Sequence, residues 1–385
     1  MNSKSDVYYG LPSEVRFCKK CVISNQRPSS TIEFKNVKGE IKKVINFNED
    51  GVCSACVYHE EKETNIDWDA RDARLRSLLD RFRRNDGTYD IIVPGSGGKD
   101  SAFTAHVLKY KYGMNPLTVT WAPHLYTDIG IKNFQEWMHT GGLDNILYTP
   151  NGKLHREMTR NAFKNLLHPF QPFIVGQRII GPAMAKRFGV QLVMYGENQA
   201  EYGNSIEENT NPIMNTDFFS ADDLSEMKFG GISVDEYMRV GGYSKGDFAP
   251  YVAPSKESII AAGVEVHYLG YYLKWDPQEC YYYASENTGF EANPFRTEGT
   301  YSKYSSIDDK IDPFHYYTTL VKFGIGRCTY DAAQEVRNSK ITRDEAAYLV
   351  KKYDTEFPNK YLSDFLKYIN MTEAEFTETI DAHRS

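Results

Sequence analysis

The 385-residue chain has no uninterrupted apolar run of about 18 residues, so it offers no segment for crossing a membrane as a helix. Its first ten residues, MNSKSDVYYG, lack the charged-then-apolar layout of an export signal, and a cytoplasmic location is expected. Positive charge is not in excess either: 45 basic against 52 acidic side chains leave a net charge of −7. That disfavours a general nucleic-acid binder, which needs clustered Lys and Arg for phosphate contacts. Cysteine is scarce, six in all, and the isolated Cys280 and Cys328 read as core residues. What is present is a globular composition: 41% hydrophobic residues, 25% charged and an unusual 28 tyrosines. At about 150 residues per domain the length favours two to three domains.

The other four cysteines form two CxxC pairs, Cys18–Cys21 and Cys53–Cys56. Two such pairs can present four thiolates to one tetrahedral ion, and structural Zn2+ is the expected occupant. Between them the sequence reads as short strands around Lys38-Gly39, with a turn at Asp50-Gly51, in a zinc-ribbon layout. Disulfides or free thiols are the competing readings. Residues 1–66 are taken as this segment.

Tyr89–Val93 is a short apolar run expected to be a buried strand, and helical spacing starts at Ala102. Between them, Ser96-Gly97-Gly98-Lys99-Asp100-Ser101 makes a tight turn at a helix N-terminus, a cradle of backbone N–H groups for an anion. Lys99 is followed by Asp100, not by the Ser or Thr of a Walker loop. SGGKDS instead resembles the PP-loop of the ATP pyrophosphatases, which split ATP between the α and β phosphates. An ordinary capped Ser/Gly turn is the bland reading. Downstream, strands at 117–121, 145–148 and 191–195 alternate with helices. A doubly wound parallel α/β sheet over 67–203 is therefore expected, with ligands at the C-terminal strand ends.

The stretches CKKCVISNQRPSSTIEF, GVCSACVYHEEK, SGGKDS, VTWAP, GENQAEYG, NPFRTEGTYSKY, DDKIDPFHYY, KFGIGR and ITRDEAAYLV occur in this order. The chain thereby resembles the bacterial N-acetyl sugar amidotransferases, enzymes of pseudaminic or legionaminic acid and O-antigen sugar synthesis. The resemblance implies ATP-dependent conversion of a sugar acetamido group to an acetamidino group, with release of AMP and pyrophosphate. It implies ATP and Mg2+ at Ser96, Gly97, Gly98, Lys99, Asp100, Ser101 and Trp121, with Lys99, Asp100, Glu197 and Arg327 as catalytic candidates. It further implies a separate glutaminase subunit supplying ammonia, together with a synthase barrel like that of histidine biosynthesis. Nothing in this chain looks like a glutaminase: neither lone cysteine sits in a nucleophile elbow. The substrate implied is a nucleotide-linked or free diacetamido sugar.

Other candidates keep two readings. Asn198, Glu201 and Tyr202, beside Glu197 after the fourth strand, face the cleft or form a solvated acidic loop. Arg296, Thr300 and Tyr301 bind substrate or belong to an aromatic-anchored structural loop. Lys322 and Arg327, flanking Gly324 and Gly326, form an anion clamp or cap a helix. His315 carries a proton or simply packs. Residues 204–263 read as an irregular insertion or lid, and 264–385 as a substrate-binding region ending in helices that serve substrate binding or a homodimer. Val264–Lys274 reads as strand. Arg71, Arg74, Arg76, Arg81, Arg83 and Arg84 leave room for a PP-loop tRNA-modifying enzyme, although alternating Asp residues favour a solvated helix face. A non-enzymatic zinc-ribbon module is the third reading.

Overall fold

The computed structural model describes residues 8–198, 201 and 211–384. Strands β1 (Ile91–Pro94), β2 (Pro116–Trp121), β3 (Asp144–Tyr148) and β4 (Leu192–Tyr195) are joined by helices, so each crossover returns parallel. The helices are α3 (Lys99–Tyr110), α4 (Asp128–His139), α5 (Gly152–Leu166) and α6 (Gln171–Phe188), following α1 (Ser54–Thr64) and α2 (Trp68–Phe82). A two-stranded antiparallel ribbon, β5 (Lys228–Phe229) and β6 (Ile232–Ser233), precedes the last sheet strand, β7 (Glu265–Tyr268). The five-stranded sheet runs β3-β2-β1-β4-β7, the doubly wound parallel α/β arrangement expected. Ile91, Ile92, Val93, Leu192, Val193 and Met194 are fully buried, as central strands covered on both faces require.

Chain direction across the sheet reverses between β1 and β4, which opens a crevice at their C-terminal ends. The PP-loop leaves β1 there, and Gly196-Glu197 leaves β4. The expected strand Val264–Lys274 stops at Tyr268 and turns into a short helix, Leu269–Tyr272, as Gly270 N–H donates to the Gly196 carbonyl at 2.8 Å. That bond draws the backbone out of the ladder and over the β4 loop.

In the cysteine segment the expected strands around Lys38-Gly39 do not form; among the described residues only isolated bridges, Phe17 with Ser24, Pro28 with Val44 and Phe47 with Cys53, link its turns. Its fold depends on packing instead. Cys18, Cys21, Cys53 and Cys56 share one apolar cluster with Ile325, Ala332, Ala333 and Ala346 of the C-terminal helices. Arg343 ties the two together by donating to the carbonyls of Cys18 and Cys21, both at 3.2 Å. Among the described residues of 204–263, Met227, Phe229, Phe248 and Tyr251 are fully buried in the same core as the sheet. The C-terminal helices Arg343–Tyr353 and Glu373–His383 begin at Thr342 and Thr372, each closing a capping box with Glu345 or Glu375. Among the described residues no helix is long and apolar enough to cross a membrane.

Candidate active site

Gly97 sits at φ 81°, and a Cβ there would lie 2.8 Å from the Phe134 backbone, so the turn into α3 requires glycine. The turn leaves the N-terminus of α3 facing the crevice, where first-turn N–H groups and the helix dipole favour an anion. Lys99 is buried and pairs with Asp100 at 2.5 Å. Burial opposes its charge, but the Asp100 and Glu197 carboxylates win and raise the ammonium above its ordinary value. Ser96 donates to Asp308 at 2.9 Å. Asp308 is held against the loop because Asp309 accepts from His124 N–H at 2.6 Å and Lys310 N–H donates to the Leu125 carbonyl at 2.9 Å. Burial, followed by the neighbouring Asp309, raises the Asp308 carboxyl.

Three cavities meet at this loop, and Asp100 borders all of them. The largest, about 530 Å³, opens over the PP-loop and the ends of β1 and β4. Ser96, Gly98, Ser101 and Trp121 line it, with Arg178 of α6 and Arg27 of the cysteine segment adding positive charge. Trp121 lies against α6 because Gly176 leaves room; a Cβ there would sit 2.1 Å from the indole. The second, about 390 Å³, lies between the loop and the helices Asp312–Phe323 and Arg327–Arg337. Lys99, Asp100, Glu197 and Arg327 all border this polar chamber. Its far wall carries Asp276, Tyr304, Asp331 and Glu335. The third, about 180 Å³, is bordered by Ser96, Lys99, Asp308 and Arg327.

Within the chamber charge is balanced locally. Arg327 pairs with Asp331 at 3.1 Å and lies over the Tyr316 ring at 4.5 Å. Glu335 accepts from Tyr301 at 2.8 Å, and burial raises its carboxyl above the ordinary range. Lys340 sits 3.5 Å from Asp276. The Asp312 carboxyl, at the start of its helix, is pushed up to about 7 by burial, with Arg327 opposing the shift.

Other candidates lie outside these cavities. Asn198 is buried and bonds to Tyr58. Glu201 is equally buried and closes an ion pair with Lys62 at 2.9 Å, while its carbonyl accepts from Arg337. Tyr202 lies outside the described residues. Arg296 makes a two-pronged pair with Glu356, both contacts 2.6 Å, and covers the Tyr353 ring at 4.6 Å. Thr300 donates to Asp331 at 2.6 Å and Tyr301 to Glu335, so both support chamber carboxylates from behind. Lys322 faces a separate cavity of about 370 Å³. Much of the basic stretch is paired within the chain: Arg71 lies over Tyr271 at 3.6 Å, and Arg76 pairs with Asp72, Arg81 with Glu265 and Arg83 with Asp80.

Sequence reasoning did not single out Arg178, Asp308, Asp331 or Glu335. The DDK stretch around Asp308 was visible as a motif, but its contact with Ser96 spans the whole sheet domain. Arg178 carries no local signal; it stands within a long, mostly apolar helix.

The four cysteines converge with sulfurs within 4.8 Å of one another, all buried. Cys18 and Cys56 sulfurs lie 3.9 Å apart, Cys21 and Cys53 3.8 Å, too far for disulfides. N–H groups of Lys20, Cys21 and Cys53 point at the Cys18 sulfur at 3.3–3.5 Å. Four thiolates so arranged, with donors aimed at one of them, suit a metal ion.

Residues 298–385 match the family described as "LPS biosynthesis protein WbpG-like, C-terminal domain". An uncharacterized protein of Methanocaldococcus jannaschii is 31% identical over 78 residues, 20% of this chain and 27% of its own length. Among solved structures, the NMN synthetase of Francisella tularensis superposes with TM-score 0.32 and 13% identity, over 78% of this chain and 97% of its own. The NH3-dependent NAD synthetase of Campylobacter jejuni gives 0.29 and 12%, over 74% and 95%. The U34-tRNA thiolase NcsA of Methanococcus maripaludis, solved with its [4Fe-4S] cluster, gives 0.29 and 12%, over 91% and 95%. The matched C-terminal domain supplies Tyr304, Arg327, Asp331 and Glu335, the wall of the polar chamber opposite the PP-loop.

Proposed function

We propose that the protein is an ATP-dependent, AMP-forming amidotransferase that converts a sugar acetamido group into an acetamidino group in bacterial surface-polysaccharide synthesis, whether O-antigen or nonulosonic acid. The observation that carries this reading is the position of Asp100 and Lys99. Asp100 stands in the wall between a cavity suited to a nucleotide and a polar chamber suited to a sugar, and Lys99, paired with it, faces the chamber.

An acetamide carbonyl is a poor electrophile with a very poor leaving group. In the proposed first step its oxygen attacks the α-phosphorus of ATP; pyrophosphate leaves and the amide proton is released. In the second, ammonia forms a C–N bond while the C–O bond breaks, and its electron pair leaves with AMP. One ammonia proton passes to the sugar nitrogen, giving the amidinium. Positioning and charge neutralisation account for most of the catalysis. Ser96, Gly97, Gly98 and Ser101 bind phosphate oxygens through the loop, and Lys99 offsets their charge. Arg327 steadies the anionic centre from the opposite wall, and Glu197, shared by both cavities, orients the acetamido group. Trp121 and the apolar face of α6 receive the adenine. Asp331 and Glu335 accept hydrogen bonds from sugar hydroxyls.

Asp100 Oδ1 is buried without a hydrogen-bond partner, which suits a carboxylate that holds Mg2+; the ion would neutralise phosphate charge. The four-cysteine site is read as structural Zn2+, organising a segment that sends Arg27 into the nucleotide cavity. Ammonia comes from a separate glutaminase with a synthase barrel, in a cytoplasmic setting.

The test is to incubate the protein with ATP, Mg2+, ammonium and a nucleotide-linked diacetamido sugar. The reading expects AMP, pyrophosphate and a sugar lighter by the difference between O and NH. ADP in place of AMP, or product only with tRNA as acceptor, would overturn it.

A further inference from the structure

The cavity beside Lys322 lies on the far side of the helix Asp312–Phe323 from the PP-loop, and the function above does not use it. Tyr9, Val37, Lys42, His168, Lys322 and Phe323 border it. Its inner end is His168, whose ring stacks on His315 with centroids 5.1 Å apart and planes 25° apart. His315 in turn borders the polar chamber, together with Thr319 one turn along the same helix. One stacked ring pair therefore touches two cavities, the outer one and the one where Lys99 and Arg327 meet. Phe170 flanks His315 at 5.2 Å, so the contact is hydrophobic on one side.

We propose that ammonia enters the polar chamber through the outer cavity, passing Lys322 and then the stacked rings of His168 and His315, which part to admit it. The proposal rests on the amidotransferase reading and names the path of its small substrate. The stacked pair is closed at rest, and a small parting of the rings is enough for ammonia but not for a sugar or a nucleotide. Its chemistry favours the neutral amine over ammonium. Burial holds the His168 and His315 imidazoles below their ordinary values, with Lys322 adding to the effect in both. The Nδ1 of His315 is buried without a hydrogen-bond partner, leaving a polar contact for a passing N–H. Lys322, buried and donating to the Leu166 carbonyl at 3.1 Å, is pushed down to about 7 by burial and then by Lys42. Glu33, paired with His168 at 3.2 Å, and Glu40, paired with Lys42 at 2.7 Å, keep the entrance from being purely cationic.

The test plugs the path at two places remote from the PP-loop, with Val37→Trp in the outer cavity and His168→Trp at the ring pair. Val37→Ala serves as the size control. Sugar-dependent exchange of labelled pyrophosphate into ATP reads the first step without ammonia; kcat/KM for ammonium reads delivery. The route expects exchange and the KM for ATP to stay at wild-type values in all three variants. It expects kcat/KM for ammonium to fall about tenfold or more in both Trp variants and to hold in Val37→Ala. If the wild type makes amidine and both Trp variants keep their ammonium kcat/KM, the route alone is overturned. If the wild type shows exchange but never ammonia-dependent product, the amidotransferase reading falls and the route falls with it.

Discussion

The nucleotide cavity and the polar chamber share Asp100 and Glu197, but they are assembled differently. The loop at the floor of the nucleotide side comes from neighbours in sequence, a strand, a glycine turn and a helix N-terminus within a dozen residues, although Arg27, Trp121 and Arg178 reach the same cavity from elsewhere. Its anion affinity resides largely in backbone N–H groups and the helix dipole. The chamber side comes from four distant stretches, around 276, 304, 315 and 331, held by ion pairs such as Arg327–Asp331 and Lys340–Asp276. On the proposed function, phosphate recognition is thus fixed locally, whereas sugar recognition depends on how the C-terminal helices seat on the sheet. The cysteine cluster belongs to this second region, since it packs on the same helices.

The strongest way to break the comparison is at its shared wall. Asp100→Ala is expected to lower the rate of AMP and pyrophosphate formation by about a thousandfold, measured as ATP-to-AMP conversion at saturating substrates. Next comes the anchoring of the chamber. Cys53→Ser, or treatment with a chelator, removes the proposed Zn2+ site, and such sites contribute on the order of 10 kcal/mol in comparable small segments. Thermal unfolding followed by circular dichroism should show an early transition of the N-terminal segment and the C-terminal helices, with the sheet melting later. A single unshifted transition in the mutant would separate the cysteine cluster from the chamber.

Glu335→Gln sharpens the division between the two sides. It keeps the size and loses the charge, so the sugar KM should rise by about ten- to a hundredfold while the KM for ATP holds. Equal rises in both would mean that the chamber does not bind the sugar alone. Asp312 supplies a pH-dependent version. Burial lifts its carboxyl from 3.8 to about 7, so the folded chain keeps a proton that the unfolded chain gives up. That contribution to stability is complete below 3.8 and is lost as pH rises to about 7. Asp312→Asn should therefore gain stability relative to the wild type progressively across that window and hold the gain unchanged beyond it, as read from urea midpoints at successive pH values. The smallest effect is expected at Arg296. Its pair with Glu356 is about one-third exposed on both sides, so Arg296→Ala should cost about 1 kcal/mol or less and leave both KM values unchanged.

The same division explains what could be read in advance. β1, β2, β3 and β4, the PP-loop and the capping boxes at Thr342 and Thr372 are local features, and their residues announce them. The cysteine quartet was equally plain, because CxxC spacing itself dictates convergence. The roles of charged residues were not legible in the same way. Glu201 and Glu197 stand four apart in sequence, but Glu201 turns inward to Lys62, from a helix 139 positions earlier, while Glu197 borders the cleft. Arg296 and Arg327 look alike in glycine- and aromatic-rich loops. Glu356 engages the first, and Asp331 holds the second at the chamber wall. For Glu201 and Arg296 a partner far along the chain makes the charge structural, and spacing carries no record of that partner; Arg327 finds Asp331 one helical turn away.

The central claim is that the acetamido oxygen is adenylylated, and one measurement addresses it directly. A diacetamido sugar labelled with heavy oxygen in its acetamido carbonyls is turned over with ATP and ammonium, and the products are weighed by mass spectrometry. The account predicts one heavy oxygen in the phosphate of AMP and none in pyrophosphate. Label in inorganic phosphate alongside ADP, or AMP free of label while amidine accumulates, would contradict it.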